Sequence, residues 1–251
     1  MRKLFIAGNW KMNKTISETV ELVNSLKREV SDIEGVDIVI CPVFISLSEA
    51  ADLVIDSNIG LGAQNVYWQE KGAFTGEVSP MMLKDAGCKY VIIGHSERRK
   101  YFGETNDTVL KKINAVQSVR LIPIVCVGET LEERDNKKTI EVIEKQLQDG
   151  FKGINEDNLE KIIIAYEPVW AIGTGKTATP EQAEEIHKFI RDWIQEKYSL
   201  DLSEEVRIIY GGSVKASNAK ELMSQKNIDG ALVGGASLES QLFVELIKNS
   251  L

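Results

Sequence analysis

Cysteine is scarce in this chain. Its 251 residues include three, Cys41, Cys88 and Cys126, which are widely spaced and form no CxxC pair. An odd number without paired motifs argues against a disulfide framework and favours a reducing compartment. The chain also lacks an HExxH motif and a carboxylate cluster, so we expect no metal and no other cofactor.

Positive charge and long apolar runs are lacking as well. The 30 basic residues are outnumbered by 38 acidic ones, and the net charge of −8 argues against nucleic acid or an anionic membrane as the main partner. No stretch approaches transmembrane length, and the run from Leu4 to Gly8 is too short for a signal peptide. We therefore expect a cytoplasmic protein without a nucleic-acid or membrane partner.

Proline is limited to five residues, and no linker rich in Pro, Gly or Ser divides the chain. What the chain has instead is a repeat of short apolar runs, each followed by a helical pattern. The runs are almost continuously hydrophobic, which is typical of parallel strands covered by helices. There are eight of them: Leu4 to Gly8, Val36 to Cys41, Ile59 to Ala63, Tyr90 to Ile93, Leu121 to Val127, Lys161 to Tyr166, Val206 to Tyr210 and Ile228 to Val233.

Eight strand and helix repeats predict an α/β fold in which residues 1–251 form a single-domain (β/α)8 barrel of eight parallel strands ringed by helices. A doubly wound sheet is the alternative, but the strand count and the absence of a composition break favour the barrel. Ser79, Thr179 and Ser237 are predicted to cap helices. Active sites of such barrels lie at the carboxyl ends of the strands, so the residues there are the candidates for function.

The sixth run ends on Glu167, which Pro168 biases toward an extended conformation. A small, glycine-rich segment follows, and the next helix starts at Thr179 and Pro180. Long loops without structure of their own are often functional, and we predict a mobile lid that closes over Glu167 as a base. The lid comprises Pro168, Val169, Trp170, Ala171, Ile172, Gly173, Thr174, Gly175, Lys176, Thr177 and Ala178.

Two nucleotide-binding motifs compete for the same segment. Gly175, Lys176 and Thr177 resemble a P-loop, but Trp170 stands where its first glycine is needed, so we reject this interpretation. The pattern G-x-G-x-x-A that starts at Gly173 would suit a dinucleotide, yet it follows the strand only after six intervening residues. This second match is weak.

His95 is the strongest candidate among the other strand ends. It stands between Gly94 and a helix that Ser96 could cap, where the helix dipole disfavours the imidazolium, so we predict a neutral hydrogen-bond donor. A locally bonded histidine without a role is the alternative. The second histidine, His187, is predicted to lie on the surface of the helix after Pro180.

Charged side chains follow the first and fourth strands. Lys11 could hold an anionic substrate as a point charge, although most lysines are simply solvated. Glu97 could orient neighbouring groups, or it could form a structural ion pair with Arg98. Cys126, at the end of the fifth run, is predicted to be a small buried thiol rather than a reactive one.

Glycine pairs follow the last two strands, at Gly211-Gly212-Ser213 and at Gly234-Gly235. Paired glycines also make ordinary tight turns. Barrels, however, commonly bind phosphate at this place through bare backbone amides and a helix N-terminus. We therefore predict a phosphate site here, to which Gly173 of the lid contributes.

The assembled segments resemble the triosephosphate isomerase family along essentially the whole chain. The resemblance is carried by Gly8 to Asn13, Gly94 to Arg99, Ala165 to Gly175, Tyr210 to Val214 and Gly234 to Leu238, in that order. It implies the TIM-barrel fold and interconversion of dihydroxyacetone phosphate and D-glyceraldehyde 3-phosphate through an enediolate. One departure is Cys41-Pro42-Val43, where many relatives have two consecutive prolines, and it concerns packing.

The resemblance also implies roles for individual residues. Glu167 is the base that moves the proton, and His95 is the electrophile that polarises the carbonyl. Asn9 and Lys11 bind substrate, and Glu97 supports the site. The phosphate is received by Gly173, Ser213, Gly234 and Gly235. Two rivals remain: a Schiff-base aldolase with Lys11 as nucleophile, and a phosphosugar-sensing barrel without turnover.

A homodimer is the last implication of the resemblance. The residues between Gln64-Asn65 and Phe74-Thr75 support it independently, because Val66, Tyr67, Trp68 and Phe74 would expose too much apolar surface on a monomer. Thr75 and its neighbours are expected to reach the other subunit near Lys11.

Overall fold

The computed structural model describes residues 2–172 and 177–251, and in it eight parallel strands close into a barrel in chain order. The last strand pairs with the first through Phe5 to Gly8, so no sheet edge is left open. The predicted (β/α)8 barrel is thereby confirmed. The strands are β1 Leu4–Asn9, β2 Val36–Cys41, β3 Ile59–Ala63, β4 Tyr90–Ile93, β5 Ile122–Val127, β6 Ile163–Tyr166, β7 Arg207–Tyr210 and β8 Gly230–Val233.

Helices surround this barrel, and three short 3₁₀ turns lie at Phe44–Ser46, Val169–Ala171 and Gly235–Leu238. In the part of the chain that is described, no helix has the length and apolar character needed to cross a membrane. The helices are α1 Ile16–Glu29, α2 Leu47–Val54, α3 Pro80–Asp85, α4 Ser96–Phe102, α5 Asn106–Ser118, α6 Leu131–Asp135, α7 Thr139–Gly150, α8 Glu156–Leu159, α9 Pro180–Lys197, α10 Leu200–Glu205, α11 Ala216–Met223 and α12 Ser240–Asn249.

Two apolar cores follow from the alternation of side chains along the strands. In β1, Phe5 and Ala7 belong to the core inside the barrel, whereas Ile6 between them belongs to the core under the helices. The inner core is completed by residues such as Tyr90, whose ring meets that of Phe5 edge-on at 5.1 Å between centroids. Truncating Phe5 to alanine would therefore cost about 3–5 kcal/mol of stability.

The start and the buried face of helix α9 both follow from the local sequence. Its start has the predicted capping box, since the Thr179 hydroxyl accepts from the Gln182 amide and the Gln182 side chain accepts from the Thr179 amide. Ala183, Ile186 and Ile190 are buried on one face, as the periodicity predicts. The helix therefore fixes the chain directly after the segment 168–178.

Two predicted caps are wrong. Helix α4 is capped by the imidazole of His95 and not by Ser96, whose own backbone amide is turned toward Glu167. Helix α12 begins only at Ser240, because Ser237 lies in the 3₁₀ turn before it and its hydroxyl donates to the Val233 and Gly234 carbonyls. Ser96 is thus engaged by a tertiary contact, whereas the Ser237 hydroxyl is engaged by carbonyls three and four residues earlier in the chain.

Candidate active site

The carboxyl ends of the strands surround one large cavity of about 800 Å³. Residues that follow β1, β4, β6, β7 and β8 meet there, although they are distant in the sequence. The barrel therefore brings together the strand-end residues selected from the sequence. Its lining includes Asn9, Lys11, His95, Glu167, Gly211, Gly212, Ser213, Gly234 and Gly235.

Glu167 is placed by the end of β6. Its backbone amide donates to the Val127 carbonyl at 2.7 Å, and its side chain is 1% exposed. Oε1 of its carboxylate lies 2.9 Å from Nε2 of His95, and Oε2 accepts the Ser96 amide at 2.9 Å. Burial raises the pKa of Glu167, but His95, the Ser96 amide and Lys11 together lower it by more than burial raises it. The net pKa is therefore below its ordinary value. The carboxylate is therefore ionised at neutral pH.

The two ring nitrogens of His95 face different groups. Nδ1 accepts the backbone amide of Glu97 at 3.2 Å, which requires that Nδ1 carry no proton. In a neutral imidazole the single ring proton then lies on Nε2, the atom that is 2.9 Å from Oε1 of Glu167. Burial lowers the pKa of His95, yet the carboxylates of Glu167 and Glu97 raise it, and the net pKa lies above the ordinary value. The positive end of the α4 dipole favours the neutral ring, whereas the negative charge of Glu167 favours the protonated ring.

Lys11 is held in a conformation that is unusual for its residue type. Its φ of +54° lies in the left-handed region, and its amide donates to Oδ1 of Asn9 at 3.1 Å. The ammonium lies 2.6 Å from Oε1 of Glu97. Glu97 thus pairs with Lys11 and not with Arg98, which binds Glu104 at 2.9 Å instead. The structural ion pair between Glu97 and Arg98 is therefore excluded.

The opposite end of the cavity is built from backbone amides. Ser213 follows β7, and Gly234 and Gly235 follow β8, where a 3₁₀ turn begins at Gly235. Within residues 2–172 and 177–251, the amides of these three residues donate to no protein acceptor. Free amides at a helical start can bind an anion such as phosphate. Gly173, which was predicted to join them, lies outside the described residues.

Two glycines that the sequence analysis did not link to Glu167 hold it in place. A Cβ at Gly128 would lie 1.8 Å from the Glu167 carbonyl oxygen, and a Cβ at Gly211 would lie 2.8 Å from its Cγ. Neither position can accept a larger side chain without moving Glu167. The glycine pair at 211 and 212 was part of the predicted phosphate site, but no sequence pattern linked Gly128 to the Glu167 side chain.

Glu129 is a second residue that the sequence analysis missed. It is fully buried, and its carboxylate accepts from the Tyr166 hydroxyl at 3.1 Å, from the Trp170 indole at 2.8 Å and from Arg134 at 3.2 Å. Its carbonyl also accepts the Val169 amide at 3.1 Å. Glu129 therefore fixes the start of the predicted lid. The only sequence signal was its position just beyond the end of β5.

The predicted lid is described in two parts. Pro168–Ile172 contains the 3₁₀ turn Val169–Ala171, and Ile172 lines the cavity. Ala178 is buried, and Thr177 is exposed. Gly173, Thr174, Gly175 and Lys176, which form the predicted lid tip, lie outside the described residues. Closure of the segment over Glu167 stays a prediction.

The residues predicted to contact a second subunit fall into two groups. Gln64 and Asn65 bind within their own chain, since the Gln64 amide donates to the Lys11 and Cys41 carbonyls and Asn65 accepts from Lys112. Gln64 thereby supports the backbone of Lys11. Phe74 and Thr75 are exposed, and the Phe74 ring packs on Tyr67 at 4.7 Å between centroids.

Cys126 and His187 are both buried. The burial of Cys126 agrees with the sequence prediction, and it raises the pKa of the thiol well above its ordinary value. The predicted surface position of His187 is wrong, because its side chain is 0% exposed. The described residues contain no group of three or more His, Cys, Asp or Glu side chains that could hold a metal ion.

Comparison with known proteins places these residues in context. The family model described as "Triosephosphate isomerase" matches residues 4–250. A triosephosphate isomerase of Alkaliphilus oremlandii is 54% identical over 247 residues, which cover 98% of this chain and 99% of the relative. Those of Endomicrobium trichonymphae and Geotalea uraniireducens are each 54% identical over 250 residues, which cover 100% of both chains.

Proposed function

This chain belongs to the triosephosphate isomerase family and interconverts dihydroxyacetone phosphate and D-glyceraldehyde 3-phosphate, and we propose that Glu167 and His95 carry out the proton transfer. The reaction is a step of glycolysis and gluconeogenesis. It removes a proton next to a carbonyl and returns it to the neighbouring carbon through an enediolate. The observation that carries the proposal is the buried contact of 2.9 Å between the Glu167 carboxylate and His95 Nε2.

Glu167 acts as the base. Its pKa is lowered, so the carboxylate is ionised and can accept a proton at neutral pH. Gly128 packs against the backbone carbonyl of Glu167 and Gly211 packs against its Cγ, so closely that a Cβ at either position would clash. The base is therefore held at the cavity wall, where a substrate carbon can reach it.

His95 and Lys11 stabilise the negative charge that develops on the carbonyl oxygen. His95 donates its single proton from Nε2, and Lys11 supplies a fixed positive charge beside it. Such preorganised donors are worth about 3–4 kcal/mol each in the transition state. Asn9 holds the Lys11 backbone and Glu97 holds its ammonium, so both act on substrate through the position of Lys11.

The phosphate of the substrate binds at the amides of Ser213, Gly234 and Gly235. Among the residues described, no acceptor binds these amides, and Lys11 lies close by, with its Cε 3.6 Å from the place of a Cβ on Gly234. Binding energy from the phosphate contributes to the rate when it orients the reacting carbons. Closure of the segment 168–178 over the phosphate would exclude water and prevent loss of phosphate from the enediolate.

Lys11 is a poor candidate for a Schiff-base nucleophile. Its side-chain nitrogen is held by the Glu97 carboxylate at 2.6 Å, whereas such chemistry needs a nitrogen that is free to attack the carbonyl carbon. An aldolase activity is therefore not supported by the geometry. Borohydride treatment in the presence of dihydroxyacetone phosphate should leave Lys11 unmodified.

We also propose that the protein is a homodimer. Among the residues described, ten of the fifteen large hydrophobic side chains that are exposed lie in the segments that follow β1 to β4. So many exposed apolar side chains in these segments suit a second copy of the chain. Thr75 would then reach the partner subunit near its active site. The ten are Met12, Ile16, Phe44, Ile45, Ile55, Phe74, Met81, Met82, Tyr101 and Phe102.

A cytoplasmic location is supported by the three cysteines, which are all free.

The proposed function as a whole is tested by an isomerisation assay on purified protein with a chelator present. Native protein should turn over dihydroxyacetone phosphate, and Glu167→Gln should lose about a hundredfold or more of kcat because a positioned base is removed. Equal rates for the two proteins would overturn the role of Glu167.

A further inference from the structure

His187 is a buried titratable side chain that the proposed mechanism does not use. It lies in the second turn of α9 and is fully shielded from solvent. Nδ1 is 3.3 Å from the Asn227 carbonyl oxygen, which can only accept, so Nδ1 carries the ring proton. Nε2 has no hydrogen-bond partner in the described part of the chain. A charged ring would be costly in this place, and the ring is neutral.

The ring of His187 contacts two tyrosines from neighbouring strands. Its centroid is 5.8 Å from that of Tyr166, with the planes at 84°, and 6.4 Å from that of Tyr210. These tyrosines are the last residues of β6 and β7. The next residues along the chain are Glu167 and Gly211, whose amide donates to the Tyr166 carbonyl at 2.7 Å. His187 thus packs directly behind the catalytic base and the glycine that touches it.

Tyr166 also holds the first described end of the segment 168–178, because its hydroxyl donates to Glu129, which binds the Trp170 indole as well. The Tyr210 hydroxyl is buried and has no hydrogen-bond partner among the described residues. Burial raises the pKa of this hydroxyl to about 12. The His187 ring therefore contacts one tyrosine that anchors the segment and a second one that is held by packing.

We propose that His187 is a positioning residue, whose ring fixes Tyr166 and Tyr210 and thereby the backbone that presents Glu167 to the substrate. The inference rests on the proposed role of Glu167 as the base. His187 touches neither the substrate cavity nor a reacting atom, so its effect passes through the tyrosines. Its packing, and not its capacity to titrate, is what the site uses.

Three substitutions separate ring packing from the hydrogen bond to Asn227. His187→Phe keeps a ring between the tyrosines but cannot donate to the carbonyl. His187→Asn keeps a donor near the position of Nδ1 but removes most of the ring, and His187→Ala removes both. Ile113→Ala, in α5 on another part of the barrel, is the matched control, since Ile113 is equally buried and its truncation destabilises the fold without reaching the site.

Steady-state kinetics on folded protein, checked by circular dichroism, give the test. We expect kcat for dihydroxyacetone phosphate to fall about tenfold to a hundredfold in His187→Ala and His187→Asn, as a small displacement of a catalytic group would cause. KM should change less than threefold, and His187→Phe should retain kcat within about threefold of the native value. Ile113→Ala should lose stability and keep its kcat.

Several results would overturn the inference. Unchanged kcat in His187→Ala would show that the tyrosines need no support from the ring. A loss of kcat in His187→Phe with retention in His187→Asn would assign the effect to the hydrogen bond, and an equal loss in Ile113→Ala would make it a general effect of destabilisation. These outcomes are distinct from failure of the proposed function, in which native protein itself would show no turnover or Glu167→Gln would show none of the expected loss.

Discussion

The Nε2 atom of His95 lies 2.9 Å from Oε1 of Glu167, and both side chains are almost completely buried. Each group therefore shifts the pKa of the other. The carboxylate raises the pKa of the imidazole, and the imidazole lowers the pKa of the carboxylate. We propose that proton transfer from the substrate to Glu167 removes this negative charge, so that burial, which lowers the pKa of His95, then favours the neutral imidazole.

Replacement of Glu167 by glutamine should lower the pKa of His95. The anion that raises this pKa is removed, while burial and Lys11, which lower it, remain. The pKa can be followed by NMR titration of the ring nitrogens, and the chain offers His187 as the only other histidine signal. Glu133→Gln, on the exposed helix α6, serves as the control. An unchanged or higher pKa in Glu167→Gln would contradict the proposed coupling.

His187 should make the fold sensitive to acid. Burial lowers its pKa from the ordinary 6.5 to about 3, so the unfolded chain binds a proton more readily than the folded one. Above pH 6.5 His187 is neutral in both states and does not reduce the free energy of unfolding. As the pH falls from 6.5 toward 3, the free energy of unfolding decreases by about 1.4 kcal/mol for each unit of pH. Arg191 adds to the shift, and the Asn227 carbonyl opposes it.

Chemical denaturation at several pH values measures this effect. The native protein should lose stability between pH 6.5 and 4 more steeply than His187→Phe, which has no group to protonate at this position. The difference between the two curves isolates His187 from the carboxylates, which both proteins share. Parallel curves would show that His187 does not contribute to acid lability.

Lys215 should attract the substrate electrostatically. It is exposed, lines the cavity beside Ser213, and forms no ion pair within residues 2–172 and 177–251. In a protein with a net charge of −8, a free cation at this place assists a phosphate dianion. Lys215→Gln should lower kcat/KM about two- to fivefold at low salt, the size of an exposed ion-pair contact.

Salt identifies the origin of that loss. Screening weakens interactions between exposed charges, so the deficit of Lys215→Gln should shrink as ionic strength rises to about 1 M. Lys220→Gln, which lies in α11 five residues beyond Lys215 and is also exposed, should behave like the native protein at every salt concentration. A deficit that does not depend on salt would indicate a structural effect.

Thr75 should be critical for assembly. It is exposed in the isolated chain but is predicted to lie against the partner subunit near Lys11. A charge there would be buried on association, so Thr75→Glu should shift the protein toward monomers of 28.0 kDa and reduce its activity. Sedimentation equilibrium measures the mass, with Leu200→Glu, at an exposed position of α10, as the control. A monomeric mass for the native protein would contradict the dimer.

The sequence predicted the barrel, and it selected strand-end residues that the barrel brings together, because both depend on repeated, local signals. Eight apolar runs marked the strands, and the rule that sites lie at strand ends selected Glu167 and His95, which the barrel brings to 2.9 Å. Glu129 and Gly128 were missed because their roles depend on contacts across the barrel with Trp170 and Glu167. No local pattern contains such contacts.

The errors have the same physical origin. His187 was predicted on the surface because it falls beside the apolar stripe of α9, but the helix packs so closely on β6 and β7 that the stripe extends to the ring. Ser96 could cap α4 on local grounds, yet its amide is used to bind Glu167 and the imidazole of His95 caps instead. Tertiary packing decides between locally equivalent residues.

The most direct test of the account is exchange of solvent deuterium into dihydroxyacetone phosphate, measured by NMR with a chelator present. Removal and return of a proton by Glu167 predicts fast incorporation at the carbon next to the carbonyl in native protein. The exchange rate should fall about a hundredfold or more in Glu167→Gln, together with isomerisation. Exchange that continues undiminished in Glu167→Gln would contradict the central claim that this carboxylate is the base.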